Sequence, residues 1–178
     1  GVALHSSTVV TSRNLDHLQA ICAFLRGRAV QQVVFNVMQA TGRADAHFDK
    51  LFPPYRHIAA TFARLLKDLD EEAPPVFLVD IPRCATEQIP NFNRGVLEAY
   101  SHYEVGAELR CAHAPEGAGE ETRRHMADGE TVEIARADHD TWQRGKREAC
   151  ARCKYDPACP GVWNNYLKRY GWKGLDPC

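Results

Sequence analysis

The sequence predicts the α/β class: the closing βα units of a larger α/β barrel or sheet, followed by a loop-rich extension that carries cysteines. Three observations predict it. Short, nearly continuous apolar runs alternate with amphipathic helical patterns through residues 1–82. From Arg83 onward the chain turns polar, with Gly and charge in place of periodicity. Three of the seven cysteines, Cys150, Cys153 and Cys159, then fall within ten residues.

The elements follow in order. "STVVT", Ser7 to Thr11, is a β-branched run that reads as a buried strand. Asn14 is placed to cap the next helix, whose Leu15, Leu18, Cys22 and Leu25 share a face and which Gly27 stops. "VVFNVM", Val33 to Met38, is the second strand. Pro53-Pro54 opens a helix lined by Ile58, Phe62, Leu65 and Leu69, and Pro74-Pro75 breaks it. "VFLVDIP", Val76 to Pro82, is the third strand. Apolar strands separated by helices call for a parallel sheet with right-handed crossovers. Three strands alone leave long edges bare, so a larger sheet or barrel is expected around them.

In the polar segment Arg83 to Ala149, "AELRCAH" and "ETVEIA" suggest a β-ribbon. A loop this long is uncommon unless a ligand or metal organises it. A tail helix is expected at Gly161 to Tyr170, with Trp163, Tyr166, Leu167 and Tyr170 on one face as core packing and Gly171 at its end.

Composition narrows the function classes. The formal net charge is −1, which implies neither a nucleic-acid partner nor an anionic membrane surface. No apolar run approaches the ~20 residues that span a bilayer. "GVALHSSTVV" has neither the basic start nor the apolar core of an export signal, so a cytoplasmic setting is expected. It also lacks an initiator Met and opens inside a strand pattern, so the sequence is expected to be part of a longer chain. "KRE" and "ETRR" are short solvated charge runs.

An odd number of cysteines, clustered and without an export signal, argues for metal binding over a disulfide framework. Cys22 suits a buried thiol packed as a small hydrophobe. The polar "CARCKYDPAC" does not. Cys150-x2-Cys153 brings two thiolates to one centre through a tight turn, and Cys159 is near enough for a third. Tetrahedral zinc and a [4Fe–4S] cluster both use such donors, and spacing alone does not separate them. The fourth thiolate has three candidates. Cys178 ends the chain and is open to fraying. Cys111 sits in an alternating pattern that could bury it. Cys84 follows the third strand directly, with Pro82 stiffening the exit, and is the best placed of the three. His102, His113, His125 and His139 could each give a nitrogen in the zinc reading, though solvated surface is the simpler account. No Ser-His-Asp order, P-loop, H-E-x-x-H or G-x-G-x-x-G occurs.

From Cys150 to Gly171 the chain reads C-x2-C-x5-C-x-G-V-W-x2-Y-L-x2-Y-G. This resembles the C-terminal auxiliary-cluster segment, of the SPASM/Twitch kind, found in radical S-adenosylmethionine (SAM) enzymes. "STVVTSRN" and "VVFNVMQATGRA" look like the last two strands of that family's partial (β/α)6 barrel, and "VDIPRC" resembles the strand leading to an auxiliary-cluster cysteine. The resemblance implies a barrel portion at 1–82 and a cluster-binding extension at 83–178. It implies an auxiliary [4Fe–4S] cluster on Cys84, Cys150, Cys153 and Cys159. It also implies SAM near the second strand and its loop, where Asn36, Met38 and Gly42 lie. A peptide or small-molecule substrate and an electron donor such as ferredoxin or flavodoxin would be the partners. The residues alone give a plainer reading, in which Met38 is core and Gly42 turns the chain. Two departures stand out. The C-x3-C-x2-C loop that holds the SAM-cleaving cluster is absent, so this chain alone is expected to be inactive. The cysteine that a full SPASM segment has four positions after Cys159 is Trp163 here, which points to a single-cluster, Twitch-like form. The rival expectation is a non-catalytic α/β module stapled by structural zinc for partner binding.

Overall fold

The computed structural model describes residues 3–40, 42–70, 72–87, 89, 121–125, 131–135 and 143–178, of which 121–125 and 131–135 are described by backbone alone and Ala158 without its side chain. Three strands, β1 (His5–Val10), β2 (Gln32–Val37) and β3 (Val76–Val79), form a parallel sheet in the order β1-β2-β3. Register pairs Val10 with Val37 and Asn36 with Val79. Each strand matches its expected position to within a few residues, because β-branched runs favour the pleat and its burial. A sequential strand order is what successive βα units laid side by side produce. Among the described residues the strands do not close into a barrel.

The connections carry helices α1 (Leu18–Arg26), α2 (Arg43–Ala46), α3 (Phe48–Leu51) and α4 (Tyr55–Asp68). Leu18 and Cys22 of α1, and Ile58, Phe62 and Leu65 of α4, bury against Val33, Phe35, Val37 and Leu78. Phe35 meets Phe62 edge-on at 6.4 Å. Alternation along the strands sends Val34, Asn36 and Val79 to the opposite face. Val34 and Val79 are buried there, outside the helix-side cluster, whereas Val9 is 52% exposed.

Asn14 does not cap the helix as expected. Its Oδ1 accepts the Thr11 N–H at 2.7 Å and its Nδ2 donates to the Val9 carbonyl at 2.8 Å, so it ties off the end of β1. Gly27 does end α1.

Beyond β3, strands β4 (Glu121–His125) and β5 (Thr131–Ala135) pair antiparallel. The ribbon's second strand matches the expected "ETVEIA"; "AELRCAH" lies outside the described residues. Next come β6 (Arg144–Gly145), β7 (Val162–Trp163) and α5 (Asn164–Tyr170). The tail helix is thus shorter than expected at its N-terminal end. Val162 and Trp163 are drawn into pairing with Gly145 and Arg144 instead. Gly171 ends α5 at φ 61°, as expected.

The tail packs into the same core as the sheet. Val162, Trp163, Tyr166 and Leu175 belong to one buried cluster with the α4 residues. Tyr166 stacks on Tyr55 at 4.1 Å and meets Phe52 edge-on at 5.9 Å. Its hydroxyl accepts the Tyr55 N–H, and the Tyr170 hydroxyl donates to the Phe52 carbonyl at 3.1 Å. Asn165 adds a hydrogen bond to Asp45.

Candidate metal centre

Two glycines build one wall of the site. Gly161 has φ +93°, and a Cβ there would stand 2.7 Å from the Gly145 carbonyl oxygen. Both conditions require Gly. The close approach lets β6 and β7 pair while the chain between them turns back on itself.

That intervening chain carries three cysteines on consecutive tight turns. Cys150 lies in the 3₁₀ turn Glu148–Arg152, and the Cys153 N–H donates to the Cys150 carbonyl at 2.9 Å. Residues three apart eclipse in such a turn, which brings these two side chains to one side. The Asp156 N–H donates to the Cys153 carbonyl, and the Cys159 N–H to the Tyr155 carbonyl, both at 2.9 Å. Pro157 falls inside the second 3₁₀ turn, Asp156–Ala158. Lys146 pairs with Asp156 at 3.0 Å and braces the turn.

Cys84 arrives from the other side. It sits in the 3₁₀ turn Arg83–Ala85, entered through Pro82 at φ −59°, just past the C-terminal end of β3. Asp80 at φ +60° turns the chain there, and its carboxylate accepts from Gln39 at 3.2 Å. Arg144 reaches the same carboxylate at 3.9 Å while lying over the Trp163 ring at 3.9 Å. Trp163, the departure from the full SPASM pattern, is therefore a buried platform for Arg144.

Cys84, Cys150, Cys153 and Cys159 all line one cavity, with Arg83, Lys146 and Trp172 in its walls. The cavity is small and partly open to solvent. The described cysteines are all free thiols. Burial pushes the Cys84 thiol up to about 12, helped by repulsion from Cys159, Cys178, Cys150 and Cys153 if they ionise. Among the described residues, no three His, Cys, Asp or Glu side chains form a group that could hold a metal ion.

Cys178 is the residue that sequence reasoning set aside. Its carbonyl accepts the Lys154 N–H at 3.0 Å, and Leu175, three residues before it, is only 1% exposed. Arg147 holds the Leu175 carbonyl at 2.7 Å. Burial and the nearby Glu87 push the Cys178 thiol up to about 11. The sequence signal was the apolar Trp172 and Leu175 in the last seven residues, which argue against fraying.

The expected SAM-side residues are not gathered at this cavity. Asn36 donates from Nδ2 to Ser7 Oγ at 2.5 Å on the sheet face away from the helices, and its Oδ1 is buried without a partner among the described residues. Met38 is 6% exposed and lies in the core. Gly42, at φ 55°, leads into α2. Cys111, His102, His113 and His139 lie outside the described residues, as does the His125 side chain. Comparison of the chain with protein-family models, with curated proteins and with solved structures finds no match.

Proposed function

We propose that this chain is the C-terminal part of a radical SAM enzyme, binding an auxiliary [4Fe–4S] cluster beside the C-terminal ends of its strands. One observation carries the reading: four cysteines from two distant stretches of sequence line one cavity. Four thiols match the donor number of a [4Fe–4S] cluster, and the C-x2-C-x5-C spacing of the tail resembles an auxiliary-cluster segment. The group, when bound, would supply one-electron chemistry. The chain's own contribution is positional. Pro82 and the 3₁₀ turns fix the thiols, and Trp172 lines the cavity beside them. SAM would lie on the far face of the sheet, with Asn36 and Gly42 toward it and Met38 supporting from the core. The substrate class is a peptide or small molecule, and the electron donor a ferredoxin or flavodoxin. Among the described residues no helix is long and apolar enough to cross a membrane.

The test is metal analysis of anaerobically prepared chain. Iron and acid-labile sulfide in near-equal amounts are expected, and Cys150→Ala, Cys153→Ala or Cys159→Ala should each lower both. One zinc per chain without sulfide would replace this reading by a structural zinc module. The chain alone should release no 5′-deoxyadenosine from SAM under strong reductant, since it has no C-x3-C-x2-C loop. Release would overturn the assignment of that chemistry to another part of the protein.

A further inference from the structure

One carboxylate joins the two stretches of chain that carry the thiols. We propose that Glu87 is a positioning residue of the metal centre: it clasps the cysteine turn to the strand exit and so keeps Cys84 within reach of the group held by Cys150, Cys153 and Cys159. The inference rests on the reading above that these four thiols share one centre, and it does not depend on which metal fills it.

Lys154 and Tyr155 follow Cys153 directly in the chain, and they reach different oxygens of Glu87. Lys154 Nζ donates to Oε1 at 2.9 Å, and the Tyr155 hydroxyl donates to Oε2 at 3.5 Å. Two contacts on two oxygens fix the carboxylate in orientation as well as in distance. Arg83, the neighbour of Cys84, lies over the Tyr155 ring at 5.2 Å and joins the same two stretches a second time. The Glu87 end is firmly based. Thr86 is buried, and its N–H and hydroxyl both donate to the Arg83 carbonyl, at 2.9 and 3.1 Å. Ile89 is buried as well, and its N–H donates to the Thr86 carbonyl at 3.0 Å. The core docks the tail through Trp163 and Tyr166, several residues beyond the cysteine turn, whereas the clasp acts at the turn itself. An ion pair as exposed as Glu87 and Lys154 adds little to global stability, so its effect on the site is separable from an effect on the fold. Sequence spacing does not reveal it, because Glu87 and Lys154 are 67 positions apart.

The experiment loads the chain, Glu87→Ala, Lys154→Ala, their double variant and Cys84→Ala with iron and sulfide without oxygen. Iron release to EDTA is timed, and the electron paramagnetic resonance of the reduced cluster is read with and without imidazole. Glu87→Ala should release iron about fivefold faster or more, and should give a spectrum that imidazole shifts, as Cys84→Ala does. The double variant should release iron no faster than Glu87→Ala, because the same contact is removed twice. The thermal midpoint of metal-free Glu87→Ala should stay within about 4 °C of the unsubstituted chain. Where it falls further, Lys154→Ala combined with Tyr155→Phe, which leaves Glu87 in place, is judged by the same criteria. A smaller change in release, additive effects of the two substitutions, or a spectrum that imidazole leaves unmoved would overturn the proposal. Zinc without sulfide in the unsubstituted chain would overturn the iron–sulfur function alone, and zinc release then supplies the same comparison. A chain that retains no metal would overturn both.

Discussion

Gly161 and Tyr55 illustrate two ways in which one residue constrains this molecule. A methyl group at Gly161 would collide with backbone, which cannot swing away, and φ +93° is strained for any L side chain. Gly161→Ala should therefore lower stability by about 2–4 kcal/mol in denaturant melts. Gly145→Ala meets only the movable ends of Asn164 and Leu167, so about 1 kcal/mol is expected. Tyr55 acts through its proton. It is fully buried, its hydroxyl has no partner among the described residues, and burial pushes its phenol far above the ordinary range, against the pull of Arg144. The folded state thus keeps a proton that the unfolded chain gives up near pH ~10. This contribution is complete below pH ~10; above it, stability should fall by up to about 1.4 kcal/mol per pH unit. Tyr55→Phe should lie within about 1 kcal/mol of the unsubstituted protein at neutral pH, because no hydrogen bond from the hydroxyl is lost. It should also flatten the alkaline limb. An unchanged limb in that variant would assign the titration elsewhere.

At the level of elements, the short tail helix α5 does more packing than its length suggests. Tyr166 meets both Tyr55 and Phe52, so Tyr166→Ala should cost about 3–5 kcal/mol, and Tyr166→Phe only about 1 kcal/mol for the lost acceptor at the Tyr55 N–H. Thermal unfolding of the two variants measures the difference. The sheet strands and α4 were legible in the sequence because their signals are local: β-branched runs, a 3.6-residue apolar stripe, and prolines at the boundaries. β7 was not. Val162 and Trp163 continue a helical-looking stripe, and only pairing with Arg144 and Gly145, nearly twenty positions earlier, makes them a strand. Asn14 was misread for a related reason: it is a good cap by type, but the free backbone groups at the end of β1 claim its amide first. The cavity-lining cysteines were readable from thiol spacing and from the strand exit at Cys84. Cys178 was not, since its anchorage depends on Lys154 and Arg147.

For the molecule as a whole, the two segments separated in the sequence share one hydrophobic core in the described residues. Urea unfolding of this body, followed by tryptophan fluorescence and by far-ultraviolet circular dichroism, should therefore show coincident transitions. Trp163 and Trp172 report on the tail, while helices α1 and α4 dominate the dichroism. A tail that melts first would mean that its aromatic contacts are weaker than their burial implies.

The stack of Tyr166 on Tyr55 also bears on damage and repair. It fastens the tail through carbon and hydrogen-bond contacts that involve no thiol, so if the proposed cluster is bound, its loss to oxygen or chelator need not scatter the cysteines. Refilling would then be a local chemical step at a standing scaffold, instead of a refolding event waiting on chance encounter.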